Sequence, residues 1–396
     1  MRFSTVAGLA SATLVAAQAP SITQYTSHDI HNGQAFQNVS DIADEAMRSN
    51  IASRGNVQCT YENADVRREW RTLSQHTRKS FTDAVLCLQQ KAPEKMTAAE
   101  APYYPGVKTR WDEYVATHIN YTLNIHDTAD FLAWHRAFTH YLEQDLKNLC
   151  GYTGVMPYWN WALDYASPQD SPLFNGDEYS MSGNGESISG RSDTWLAQQE
   201  VDFPPGTGGG CVTSGPFKDY TVNLGPLDLP NANNVNSTFE YNPRCLERDL
   251  NPWVSTNYNT YRNLTDLLLE NTHIEDFQAI MQGYNSDTNR FGVHGGGHWQ
   301  VGGSMMDFHS SPADPVFFLH HAMIDRVWTI WQNLDIYRRQ NTLMGTATLG
   351  CDVPDCPAMT LEDSLPFGFV TDDPVFGDLM DTFSGPFCYR YDSATS

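Results

Sequence analysis

Two groups of three histidines constrain this chain more than any other feature: His118, His126 and His135, then, after a long intervening stretch, His294, His298 and His321. Each group supplies three imidazoles, enough to hold a first-row transition metal and leave a coordination position open. Imidazole suits copper, zinc, iron and nickel. Two such sites facing each other could hold metals about 3.5–4 Å apart, the spacing of two-metal catalysis. Size alone would allow the 396 residues to form two or three domains. A shared metal centre instead requires both halves to build one site, so a single domain over residues 18–396 is expected.

Apolar spacing places helices around the histidines. Residues 64–90 read as an amphipathic helix, with Trp70, Leu73, Thr77, Phe81 and Leu88 recurring at three- and four-residue steps or their multiples. A proline-containing connector from Ala92 to Gly106 follows. Residues 109–122 read as a second helix with Trp111, Val115 and His118 on one face. Asp127 or Thr128 is the expected cap of a third, running to about Leu149, with Phe131, His135, Phe138 and Leu142 in one stripe. From about Gly151 to Pro252 the chain is rich in Gly, Pro, Ser, Asn and Asp, and reads as long ordered loops over the core. Two short helices are expected within Asn263–Gly283. Pro315 suits the first turn of a further helix to about Asn333, with Phe317, His321, Ile324 and Trp328 on one face. Turns and short strands are expected after Gly345.

The chain opens like a secretory signal. Arg2 is the charged start, Val6 to Val15 form a short run of small and apolar residues, and Val15-Ala16-Ala17 offers a small-residue cleavage site. Residues 1–17 are therefore expected to be a signal peptide and the protein to be secreted. No run reaches the ~18 apolar residues of a membrane span. Eight cysteines fit an oxidising compartment and allow four disulfides, of which only Cys351–Cys356 is suggested by proximity. Glycosylation sequons begin at Asn38, Asn120, Asn236 and Asn263. The formal net charge of −23 disfavours nucleic acid and anionic membranes, both of which need a basic face.

The histidine spacings carry chemistry. His294 and His298 stand four apart, so one helical turn can aim both imidazoles the same way. The three glycines between them let backbone or substrate approach closely. A zinc protease would carry Glu directly after the first histidine; here that residue is Gly295, which argues against a hydrolase. Asp325, four after His321, could orient that ligand or anchor Arg326. His320 points away round the helix from His321 and reads as packing, with ligation by His320 instead of His321 left open. Glu143 could support the bundle through Arg136. His28, His31, His76, His140, His273 and His309 lack an aromatic setting of this kind and read as non-ligands.

These motifs resemble those of the type-3 copper polyphenol oxidases, in particular short secreted fungal catechol oxidases and tyrosinases. His126-Asp-Thr-Ala-Asp-Phe-Leu-Ala-Trp-His135-Arg136 resembles the family's first copper motif. Asp314-Pro-Val-Phe-Phe-Leu-His-His321-Ala-Met-Ile-Asp325-Arg326-Val-Trp328 resembles the second, with His294-Gly-Gly-Gly-His298 ahead of it. Pro157-Tyr-Trp-Asn-Trp161 and Gly209-Gly-Cys-Val-Thr-Ser-Gly-Pro-Phe-Lys218 are further markers, and the likeness spans about residues 55–392. The resemblance implies a mainly α fold: a four-helix bundle around a dicopper centre, with long ordered loops. It implies two copper ions, one on His118, His126 and His135, the other on His294, His298 and His321. The reaction it implies uses O2 to convert small phenols, o-diphenols and also o-aminophenols, to quinones.

Several residues depart from the family pattern. Asn124 stands where many relatives carry a cysteine bonded to the second ligand, so no thioether can form. Gly295 stands where good monophenol hydroxylases often have Asn or Asp. Gln282 replaces the family's water-holding acidic residue, and Phe308 lies over the copper pair as a bulky gate. Gly295, Gln282 and Phe308 all lean toward diphenol oxidation. The alternatives are a full tyrosinase and a hemocyanin-like oxygen carrier. Tyr389-Arg-Tyr391 resembles the motif that closes the family's core, and no C-terminal shielding domain is expected beyond it.

Overall fold

The computed structural model describes residues 19–55, 57–196, 200–228, 238–283 and 291–393. The expected signal peptide and the sequon at Asn236 lie outside them. The helices in chain order are α1 (Ser27–His31), α2 (Gln34–Ser53), α3 (Gln75–Leu88), α4 (Arg110–Tyr121), α5 (Phe131–Cys150), α6 (Pro252–Tyr258), α7 (Tyr261–Glu270), α8 (Ile274–Gln282), α9 (Gly292–Val301), α10 (Val316–Leu334) and α11 (Ile336–Arg339). None is long and apolar enough to cross a membrane.

The mainly helical class expected from the sequence holds. Helices α5 and α10 pack on each other, α2 covers α10, α3 covers α5, and α9 lies against α6, α8 and α10. Phe318 of α10 stacks on Phe138 of α5 at 5.4 Å and meets the edge of Trp111 of α4, also at 5.4 Å. Buried aromatic rings thus lock the helices that carry the first histidine group to the helix that carries His321. Aromatic pairs of this kind add about 0.5–1.5 kcal/mol each beyond their burial.

Helix α4 starts with a capping box in which Thr109 and Asp112 bond reciprocally to each other's backbone N–H. Helix α5 departs from expectation at its start: Asp130, rather than Asp127 or Thr128, occupies the cap position. The Thr128 hydroxyl instead donates to the Asp130 carboxylate at 2.7 Å. Gly151, with φ +68°, ends α5 in the left-handed conformation that favours glycine.

The expected helix over 64–90 begins only at Gln75, where Ser74 accepts from the Thr77 N–H. Asp65–Arg67 is instead a strand, paired in parallel with Tyr389–Tyr391. Trp70–Thr72 is a 3-10 turn. The long-range pairing captures backbone that would otherwise have extended the helix. Trp70 still packs edge-on to Phe81 at 6.0 Å, so the apolar periodicity reflected real burial on a different backbone.

Helix α2 was not foreseen, although Phe36, Val39, Ala43, Met47 and Ile51 bury one face at helical spacing. Among its described residues, the loop-rich stretch after Gly151 carries two-residue to four-residue strands. It is fastened by Cys211–Cys245 and by Arg248, whose guanidinium holds both oxygens of buried Asp314, just before α10, at 2.7 and 2.8 Å. The remaining disulfides are Cys59–Cys388, Cys87–Cys150 and the expected Cys351–Cys356.

Candidate metal centre

The fold brings the two histidine groups face to face. His118 projects from α4, His135 from α5, and His126 from the connection between them. His294 and His298 come from successive turns of α9, and His321 from α10. All six are buried. His126 and His294 approach to 5.8 Å between ring centroids, and His135 stacks on His321 at 4.3 Å. The six residues singled out in the sequence therefore form one centre.

Main-chain carbonyls orient the rings. The Nδ1 atoms of His118, His126 and His135 lie 2.7, 2.9 and 2.8 Å from the carbonyl oxygens of His309, Thr122 and Phe131. His298 Nδ1 lies 2.9 Å from the Met305 carbonyl. A carbonyl only accepts, so Nδ1 carries the proton and each Nε2 keeps a free lone pair. Anchoring the distal nitrogen in this way fixes tautomer and aim in metal sites.

The Nε2 atoms converge where a cation would sit. His298 Nε2 lies 3.2 Å from His294 Nε2 and 3.3 Å from His321 Nε2. Metal–nitrogen bonds of about 2.0–2.1 Å in tetrahedral directions place ligand nitrogens about 3.3 Å apart. In the first group, the buried Nε2 atoms of His118 and His135 have no hydrogen-bond partner. Buried lone pairs without donors signal a missing positive centre. Burial pushes all six pKa values down, reinforced by neighbouring imidazoles at every one but His298, to about 3 for His126 and about 4 for His298. Neutral imidazoles are what a metal binds, and the donor set suits copper.

His320 lies within this neighbourhood, but its role differs. The Trp161 indole N–H donates to His320 Nδ1 at 3.0 Å, so the proton of the neutral ring resides on Nε2. That leaves no free lone pair, and His320 acts in packing. Its ring also explains Gly297, where any side chain would collide with it; at Gly296 a side chain would collide with Asn259. Gly295 differs from both. A Cβ there would meet only ordinary contacts, 3.4 Å from Phe291 Cβ and 3.9 Å from the Gln282 carbonyl.

Phe308 is half-buried, and its ring lies 4.8 Å from that of His126. Gln282 is buried at the end of α8, where its Oε1 accepts from the Asp127 N–H at 2.9 Å. Asn124 donates to the Ala347 carbonyl.

Two expected side-chain roles are corrected. Asp325 contacts neither His321 nor Arg326; it receives Arg136, Arg67, Tyr389 and Tyr391. Glu143 pairs with Arg67 and Lys147, both at 2.9 Å, rather than with Arg136. Sequence reasoning also missed the carbonyl partners of the histidines. Backbone acceptors carry no residue signature, so nothing in the sequence marks His309 or Met305 for this role.

The common central domain of tyrosinase matches residues 108–334. The chain is 40% identical over 336 residues to "Tyrosinase P" of Aspergillus terreus, covering 83% of this chain and 92% of that protein. It is 37% identical over 369 residues to an N-acetyl-6-hydroxytryptophan oxidase of Emericella nidulans, covering 89% and 99%. Among solved structures it is similar to a single-residue variant of a polyphenol oxidase from Thermothelomyces thermophila. That likeness has a TM-score of 0.84 and 35% identity, over 92% of this chain and 99% of the other.

Proposed function

This chain belongs to the tyrosinase family and is a copper oxidoreductase acting on phenols; from that premise we propose that it is a secreted catechol oxidase, converting o-diphenols to o-quinones with little hydroxylation of monophenols. One copper is assigned to His118, His126 and His135, the other to His294, His298 and His321. Residues 18–396 act as one domain after removal of a signal peptide.

Copper held by these histidines would supply the redox chemistry, coupling the two-electron oxidation of two o-diphenols to the reduction of one O2 to two waters. The protein's own contribution is orientation and exclusion. Carbonyl-anchored imidazoles hold their Nε2 atoms inward, and the surrounding aromatic residues keep the centre dry. Phe308, beside His126, restricts how an aromatic ring can approach.

The observation that carries the preference for diphenols is the pair Gln282 and Gly295. A monophenol must give up its proton before it can be hydroxylated, and a positioned base speeds such a transfer. Gln282 is neutral, and its acceptor oxygen is engaged by the Asp127 N–H. Gly295 offers no side chain to assist. A catechol needs only to be oxidised, so this deficit costs it less. The relative in Emericella nidulans is named as an oxidase of a hydroxylated aromatic amino acid, which supports a phenolic substrate here.

The test is oxygen uptake by copper-loaded protein with 4-methylcatechol and with 4-methylphenol. Rapid uptake on the catechol and a rate at least roughly 100-fold lower on the phenol is expected, the scale of one acid–base contribution. Comparable rates would make the protein a full tyrosinase. Two bound coppers with no uptake on either would favour an oxygen carrier. His298→Ala should abolish uptake; full activity with full copper would remove His298 from the site.

A further inference from the structure

We propose that Gln282 is a positioning residue, which fixes the loop bearing His126 relative to the helix bearing His294 and His298. The inference rests on the assignment of both histidine groups to copper. It concerns how the two halves of that centre are held at one separation.

The geometry has three parts. First, Asp127 directly follows His126 and has φ +51°, a left-handed conformation uncommon for a residue with a side chain. Backbone of this kind persists only when its surroundings hold it. Second, the Asp127 N–H donates to Gln282 Oε1 at 2.9 Å. An N–H cannot accept, so the amide must present its oxygen here, which fixes its orientation. Third, the end of α8 that carries Gln282 packs against α9. Gly283, φ +88°, ends α8 directly after it. Gly292, φ +58°, begins α9 so close to the last turn of α8 that any side chain there would strike the Met281 and Ile280 carbonyls.

The amide therefore links two segments distant in sequence. On one side is the turn that carries His126, whose ring is otherwise held by the Thr122 carbonyl. On the other is the end of α8, packed against α9, the helix from which His294 and His298 project. Without the link, the strained residue after His126 can relax, and the His126 ring loses its fixed distance from His294. The oxygen used in this way is also withdrawn from any role as a proton acceptor.

The experiment compares Gln282→Leu, which keeps shape and removes the acceptor, with Gln282→Glu, which keeps an acceptor. Partners that orient metal ligands typically change affinity by roughly 10–100-fold when removed. Gln282→Leu is expected to bind one of its two coppers that much more weakly, with Cu(II) visible by electron paramagnetic resonance. A coupled Cu(II) pair is silent in that measurement, and a lone ion is not. Gln282→Glu is expected to restore the wild-type copper affinity and silence.

Wild-type affinity and a silent spectrum in Gln282→Leu would overturn the proposal, as would a Glu variant as impaired as the Leu variant. If the Leu variant does not fold, hydrogen exchange on metal-free wild-type protein decides. The Asp127 amide should be protected, and exchange at the rate of open loop would overturn the link. This measurement contains no copper, so its failure is distinct from failure of the copper assignment. The latter would appear as wild-type protein that binds no copper.

Discussion

Arg136 Nε lies 2.5 Å from Asp325 Oδ1, and this pair joins the residue after His135 to the residue one turn beyond His321. Each helix of the pair carries a histidine of a different group. Asp325 also receives Tyr389 and Tyr391 at 2.6 Å each, and Arg67 at 3.4 Å. Burial alone would raise the Asp325 pKa, but Arg136 and Arg67 outweigh it and hold the carboxyl below its usual range. The base of the centre is thus a buried, charged knot between α5, α10 and the C-terminal strand.

Asp325→Asn should be severely destabilising. It removes the charge that two buried guanidiniums share, and breaking one partner of a buried pair costs about 3–5 kcal/mol. Denaturant unfolding of metal-free protein would measure this, and copper content would measure the consequence at the centre. Unchanged stability would mean that Glu143 and the backbone carbonyls around Arg136 suffice for both arginines.

Phe308→Ala should widen the substrate range. The ring stands 4.8 Å from that of His126, and the proposed function gives it the role of limiting approach to the centre. For catechols with a bulky ring substituent, kcat/KM relative to plain catechol should rise at least about tenfold, the scale of a modest steric change in an apolar pocket. An unchanged ratio would place the restriction elsewhere.

Asp130 should make stability depend on pH in a direction opposite to that of most carboxylates. Burial pushes its pKa up to about 7, against the lowering effect of the Thr128 hydroxyl. The folded state therefore holds a proton that the unfolded chain releases near the ordinary value of 3.8. Its contribution is fully present below about 4 and is lost as pH rises through about 7. Asp130→Asn should thus be more stable, relative to wild type, at pH 8 than at pH 4. Melting temperatures of metal-free protein at the two values would check this, and an equal difference at both would refute the buried, protonated carboxyl.

The sequence made α4, α5 and α10 legible because each couples an apolar stripe to a histidine at fixed spacing. Helix α4 even carries its capping box in the sequence, as Thr109 and Asp112. Less legible was whatever depends on distant chain. Asp65–Arg67 falls within the expected 64–90 helix but is a strand because Tyr389–Tyr391 lies beside it. Glu143 and Arg136 share a helix face, yet each found a closer partner from another element, Arg67 and Asp325. Helix α2 was different: its stripe of Phe36, Val39, Ala43, Met47 and Ile51 was present to be read, but it bears no chemistry to draw the eye.

Secretion carries one further expectation, for the sequons. A folded protein can carry a glycan on asparagine only where its fold leaves Nδ2 room in solvent. Asn38 is exposed on α2, where its Oδ1 accepts from the Tyr25 hydroxyl and its Nδ2 is left for a glycan. Asn120 is exposed near the end of α4, with a long 3.3 Å contact to the Tyr104 hydroxyl. Asn263 is half-buried, and its side chain is committed at both ends. Its Oδ1 accepts from the Thr260 N–H and hydroxyl in a capping box, and its Nδ2 donates to the Asn257 carbonyl. A glycan there would compete with the Nδ2 bond to Asn257 and crowd a cap worth about 1 kcal/mol. Enzymatic deglycosylation converts each occupied Asn to Asp, so peptide mass spectrometry of secreted protein reads occupancy directly. Asn38 and Asn120 should be converted and Asn263 should not. Full conversion at Asn263 would mean that the α7 cap forms only after glycosylation has been decided, and that the folded geometry does not govern which sequons are used.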